Sequence, residues 1–162
     1  MDVEAAAAAL ERETSVLGLL GTAARCLVEL LDAGGVVISR FIGEMIVDVS
    51  QYAPDGRNLA LGYGYLLSDY PLTKEVVETR EPRACSLLDE DCDEQEAALL
   101  RELEFDSLLM VPLERGPEAW GLVELYARER MFVPEDAKRA AAFVARAGEL
   151  LERLEPAPPM PS

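Results

Sequence analysis

The chain has 162 residues, half of them apolar, and 31 acidic against 15 basic side chains give a formal net charge of −16. That length suits one compact domain burying roughly 70% of its unfolded surface, and the apolar content excludes global disorder. An acidic surface repels phosphate backbones and anionic headgroups, so neither nucleic acid nor a membrane is an expected partner.

No apolar run approaches the roughly 20 residues of a bilayer span. The opening MDVEAAAAALERE carries acids where a secretory signal carries positive charge, so a cytoplasmic location is expected. Three cysteines, Cys26, Cys85 and Cys92, do not suggest a disulfide scaffold in such a compartment. Cys26 sits in the apolar run TAARCLVELL and reads as core. With no histidine in the chain, zinc held by sulfur and imidazole is excluded.

In chain order, residues 10–31 repeat apolar side chains at helical spacing and predict one long helix ending at Asp32-Ala33-Gly34-Gly35. GVVISRFIG and EMIVDVSQYA are rich in β-branched residues and predict a hairpin turning at Gly43-Glu44. Within it Val37, Ser39 and Phe41 face one way, and Val36, Ile38, Arg40 and Ile42 the other. A third strand is expected near LALGYGYL. Thr73 is the expected N-cap of a short helix closed by Glu81-Pro82, and RACSLL reads as a further strand.

The acidic run DEDCDEQE, 89–96, alternates Asp89, Asp91 and Asp93 like a calcium loop. Glu94 stands where that loop needs glycine and Leu100 where it needs glutamate, so no metal site is expected and the run reads as the solvated start of a helix over 95–105. SLLMVPL and AWGLVELYAR form an antiparallel hairpin, with Gly121 marking a close contact. A last helix opens at Pro134 with the seam Ala140, Val144, Ala147, Leu151 and Leu154. PAPPMPS, 156–162, reads as a flexible tail. The succession is α+β: a mostly antiparallel five- or six-stranded sheet, terminal helices on one face, short helices and loops on the other.

With YPLTKEVVETREP at 70–82 and the run from SLLMVPL to AGELL at 107–151, the chain resembles the GAF domain, the profilin-like sensory module of bacterial and eukaryotic signalling proteins. The resemblance covers residues 13–154. It implies a GAF-like domain over 13–155, preceded by a helical extension at 1–12, that binds a small ligand and forms a homodimer through its terminal helices or signals to a separate protein. The family's histidine-anchored haem, its bilin-bearing Cys-His pair and its cyclic-nucleotide signature have no counterpart here, and the cysteines' surroundings do not match the family's methionine sulfoxide reductases. The cofactor is therefore left unknown.

The candidate ligand pocket comprises Arg40, Tyr63, Tyr65, Asp69, Tyr70 and Cys85. Tyrosines supply flat walls and hydroxyls, Asp69 accepts from a cationic or hydroxylated ligand, and Arg40 meets an anion. The same residues also suit a half-buried strand and its turn. Serines without histidine and the absence of phosphate-binding glycine loops give no catalytic constellation, so an enzyme is not expected. Two rival readings stay open: a thiol redox sensor or enzyme using Cys85 and Cys92, and a ligand-free protein-docking domain.

Overall fold

A computed structural model describes residues 1–59, 64–89, 92–156 and 158. Tyr63, Asp91, part of the expected third strand and most of the Pro-rich tail lie outside the described residues.

The helix expected over 10–31 begins only at Val16, and the helical extension expected at 1–12 is a separate helix that ends at Glu11: α1 (Val3–Glu11) and α2 (Val16–Leu31). Hydroxyl and carboxylate caps override the apolar pattern. Asp2 Oδ1 accepts from the Ala5 amide at 2.8 Å, and Ser15 Oγ accepts from the Gly18 amide at 3.0 Å, so the chain restarts a helix at Val16. At the end of α2 the left-handed position falls on Asp32, with φ of 51°, and not on the glycines that follow.

Strands β1 (Gly35–Ile42) and β2 (Met45–Tyr52) form the expected hairpin, with a bulge between Ile38 and Ser39. Strand β3 is short, Tyr65–Leu66, and leads through a 3-10 turn, Leu67–Asp69, into α3 (Pro71–Thr79). Thr73 is not the N-cap. Proline at the first helical position, with its φ already fixed, starts the helix at 71 and leaves Thr73 buried inside it. Next come β4 (Arg83–Ser86), α4 (Glu94–Leu103), β5 (Ser107–Arg115), β6 (Glu118–Ala127) and α5 (Pro134–Leu154). At the start of α5 the Asp136 carboxylate accepts from the Val133 amide at 2.8 Å.

The six strands lie in the order β3-β2-β1-β6-β5-β4, every neighbour antiparallel. Side chains alternate between two cores. Val36, Ile38, Leu109, Val111, Val123 and Leu125 pack with α1, α2 and α5 on one face. Val37, Leu108, Met110, Leu122 and Tyr126 pack on the other with Val76 of α3 and Leu100 and Leu103 of α4. The architecture is α+β, a six-stranded antiparallel sheet with terminal helices on one face and short helices on the other. Cys26 is a buried, free thiol, as its place in α2 implies.

Close approach sets two glycines. A side chain at Gly121 would run into the Ser39 carbonyl of β1, and one at Gly148 into the Glu114 carbonyl, where α5 lies directly on β5. Gly121→Ala is expected to cost about 1–3 kcal/mol through overpacking. Gly21→Ala in α2, where nothing lies within 4 Å of the added carbon, should stabilise by up to about 1 kcal/mol. Thermal unfolding of both variants checks the contrast, and equal small shifts would refute the close-contact account.

Candidate functional site

The sheet face away from the terminal helices carries an unusual set of acids. In β6, Glu124 alternates with Leu122 and Tyr126, so the pleat drives its carboxylate into the second core, where only 7% of the residue is exposed. Tyr126 Oη donates to Glu124 Oε2 at 2.7 Å, and the Tyr126 ring stacks on Phe105 with centroids 5.3 Å apart. From β2, Asp48 accepts from Ser39 Oγ and from Tyr65 Oη, both at 2.7 Å.

From α4 comes Glu96. Asp93 caps the helix by accepting from the Glu96 amide at 2.9 Å, and this first turn points the Glu96 side chain inward, with the residue 1% exposed. Thr73 Oγ1 donates to Glu96 Oε1 at 3.2 Å. The other carboxylate oxygen, Oε2, is buried with no hydrogen-bond partner among the described residues. Tyr65 and Tyr70 meet edge to face, with centroids 5.6 Å apart.

These groups enclose a recess of about 20 Å³, enough for one water-sized group. Among the described residues none of its lining side chains is basic. Burial, then repulsion from Glu124 and Asp93, pushes the Glu96 carboxyl up to about 8, against a partial pull downward from Thr73. Glu124 is pushed up to about 7 by burial, with the Tyr126 hydrogen bond opposing and Asp48 adding to the rise. The phenols of Tyr65, Tyr70 and Tyr126 are raised in turn by burial and by these carboxylates. A second concavity, a surface groove of about 510 Å³ beside Ala145 and Gly148 of α5, is lined by Arg80, Glu114, Glu149 and Glu152 among apolar side chains. There too one oxygen, Glu152 Oε2, is buried with no hydrogen-bond partner among the described residues. Unlike the recess, the groove has a basic side chain, Arg80, 3.6 Å from Glu114.

Of the residues expected at a ligand site, Tyr65 and Tyr70 line the recess. Arg40 does not. Strand alternation places it with Val36 and Ile38 on the helix face, where its guanidinium lies 5.1 Å from the Trp120 ring centroid and 3.6 Å from Glu155. Asp69 is exposed in the 3-10 turn ahead of Tyr70. Cys85 is buried in β4 and joined to Cys92 in a disulfide with Cα atoms 5.0 Å apart. One pair with Cys26 left free is not a scaffold, but a disulfide is present where none was expected as structure. It meets the geometric condition of the rival thiol reading, that Cys85 of β4 and Cys92 just before α4 lie within disulfide reach.

Glu96 and Glu124 were not anticipated. Glu96 belongs to an acidic run read as solvated, yet it shares a helix face with Leu100 and Leu103, at the spacing of a buried stripe. Glu124 is the one charge inside WGLVELYA, on the face of Leu122 and Tyr126. Both signals are present in the sequence.

The GAF domain family profile matches residues 7–151. The chain belongs to the GAF domain family. Among solved structures, the phycocyanobilin-bound GAF domain of a cyanobacterial phytochrome superposes with a TM-score of 0.83 at 15% identity, covering 95% of this chain and 96% of that one. The chromophore-binding domain of a bacteriophytochrome from R. palustris gives 0.81 at 10% identity, over 94% of this chain and 61% of the other. The photosensory core module of the Stigmatella aurantiaca phytochrome gives 0.79 at 14% identity, over 94% and 36%. At these identities the likeness is one of fold, and the chain spans only part of the two longer proteins. No curated protein sequence matches it significantly. Among the described residues no helix is long and apolar enough to cross a membrane.

The raised carboxyls of this GAF domain make its stability depend on pH. A carboxyl that holds its proton more tightly folded than unfolded stabilises the fold below the ordinary carboxylate range. That contribution is lost as pH rises through the folded values of about 7 and about 8. The melting temperature should therefore fall between about pH 6 and about pH 8.5, a window in which surface carboxylates are already ionised. Glu96→Gln, which needs no proton to stay neutral, should flatten that decline and stabilise the protein at the alkaline end by about 1–3 kcal/mol. A slope unchanged in the variant would count against burial of this acid.

Proposed function

We propose that this GAF domain is a non-catalytic sensory module whose ligand site is the recess between the sheet and helices α3 and α4. The observation that carries the reading is the Glu96 oxygen buried there without a partner among the described residues. Buried polar atoms are nearly always satisfied, and one left open in a recess is a place for a ligand atom. The sensing unit spans residues 13–155, with residues 1–12 an extension and 156–162 a tail, and it acts in the cytoplasm.

The back of the recess is β6, whose other face packs against the terminal helices. Occupation of the recess would be reported there, through a homodimer formed by those helices or through a separate signalling protein. Leu17 of α2, 72% exposed, supports an outward-facing contact. The bilins bound in the similar structures do not fit the recess as it stands. Its 20 Å³ is far below the roughly 300–1,000 Å³ of pockets that enclose drug-sized ligands.

Native mass spectrometry of the purified chain is expected to show a co-purified small molecule. Leu99→Trp, which fills the recess from α4 at a half-buried position, should remove it while preserving the melting transition. Retention of the same ligand by this variant would place the site elsewhere.

A second reading is favoured by the Cys85–Cys92 pairing, whose Cα separation of 5.0 Å lies within the usual disulfide range. A cellular dithiol would supply two electrons and two protons, breaking the S–S bond to give two thiols while itself closing to a disulfide. That would free the start of α4, next to Asp93 and Glu96. Reduction is expected to cost about 2–3 kcal/mol of stability in the chain-entropy account of a short loop. Cys92→Ser should melt alike with and without reductant, and a wild-type melt insensitive to reductant would remove the switch.

A further inference from the structure

We propose that the recess selects a small organic cation, with a protonated amine or amidine head group seated between Glu96 and Glu124 and against the rings of Tyr65 and Tyr70. The inference rests on the reading that the recess is the ligand site, and it deepens that reading by fixing the charge of what enters.

Among the described residues every ionisable group facing the recess is an acid or a phenol. Asp48 reaches it from β2, Tyr65 from β3, Tyr70 from the start of α3, Glu96 from α4, and Glu124 and Tyr126 from β6. Asp93, beside Glu96 at the helix start, adds to the same negative field. Once the two glutamates are ionised, an anion entering meets repulsion and a neutral acceptor brings no donor to the open Glu96 oxygen. While Glu96 keeps its proton its O–H can itself donate, so the charge selection belongs to the ionised pair. A group bearing several N–H donors and a positive charge satisfies that oxygen and offsets the repulsion between the two glutamates.

Asp48 already accepts from Ser39 and Tyr65, and Glu124 from Tyr126, so Glu96 Oε2 is the acceptor left open. The aromatic faces favour an organic head group, which gains from the ring quadrupoles, over a bare metal ion. Among the described residues no three acidic or sulfur ligands converge as a metal cage would need. The room, about 20 Å³, takes an ammonium group or a single NH₂ corner of an amidine, and the rest of the ligand would extend past Leu99 at the partly exposed edge of the recess.

Entry of a cation displaces the protons held on the two glutamates, so binding releases protons and tightens as pH rises, until the head group itself loses its charge. The test is a titration of the full chain with methylammonium chloride and with guanidinium chloride, followed by amide shifts in an NMR spectrum at constant ionic strength. Sodium chloride, sodium acetate and acetamide serve as matched controls. The expected result is saturable shifts at Thr73, Glu96 and Glu124 with at least one of the two cations and none with the controls, tighter at about pH 8 than at about pH 6. Glu96→Gln, close in shape and expected to fold, should weaken that binding roughly tenfold.

Saturable shifts at these residues with acetate or acetamide, and none with the cations, overturn the charge assignment and leave the recess as a ligand site. Shifts with none of the probes overturn the proposal and mark the recess as a site for one buried water. The cavity reading is judged separately, by whether Leu99→Trp loses the co-purified molecule.

Discussion

Burial of β6 on both faces is the constraint on which the rest of the structure depends. Trp120 through Ala127 are all buried, because α2 and α5 cover one side of the strand while Phe105 and the short helices cover the other. Consecutive residues therefore belong to different compartments: Val123 and Leu125 to the helix core, Leu122, Glu124 and Tyr126 to the recess side. A single strand separates the proposed ligand site from the terminal helices. Any shift of the backbone at Glu124 moves two side chains that the helices rest upon, and tightly packed cores transmit such shifts with little compliance.

The protein also divides its buried charges between the two faces. On the helix side Arg115, 4% exposed, pairs with Glu118 at 2.6 Å and with Glu155 at 3.5 Å, and donates to the Glu155 carbonyl. Arg40 joins the same group. These cations tie the end of α5 to the strands beneath it. On the other face Asp48 is satisfied twice and Glu124 once, while Glu96 has one oxygen open. Proton retention is how the fold tolerates that arrangement in an otherwise strongly acidic chain, since a neutral carboxyl loses far less on burial than an ionised one.

Much of the fold was legible because it rests on patterns longer than any single choice. The β5–β6 hairpin and the α5 seam through Ala140, Val144, Ala147 and Leu151 follow directly from period 2 and period 3.6. Where the sequence reading failed, a local hydrogen bond outweighed the pattern. Ser15 moved the start of the long helix to Val16, and Pro71 displaced Thr73 from the cap. The site was harder to read for a different reason. Tyr65 and Tyr70 announce themselves as amphipathic walls, but an acid is assigned to solvent by default, and the exceptions emerge only when its helix or strand face is counted against its apolar neighbours. Arg40 shows the converse: period-2 alternation alone puts it with Val36 and Ile38, on the face opposite Tyr65, which rules it out of the recess.

Cys92, Asp93 and Glu96 bring three functions to the start of α4: the disulfide partner of β4, the helix cap, and the open acceptor of the recess. Their proximity links the two readings physically. While Cys85 holds Cys92, the first turn of α4 is already ordered and a ligand at Glu96 need not supply that ordering free energy. With the bond broken, the same ligand would bind less tightly by whatever the loosened turn costs to restore. Linkage makes the relation reciprocal, so an occupied recess would favour the oxidised pair by the same factor. On the proposed reading, the redox state of the Cys85–Cys92 pair and the occupancy of the recess would be two handles on one element, the N-terminal turn of α4, and β6 would be the strand through which either reaches the terminal helices.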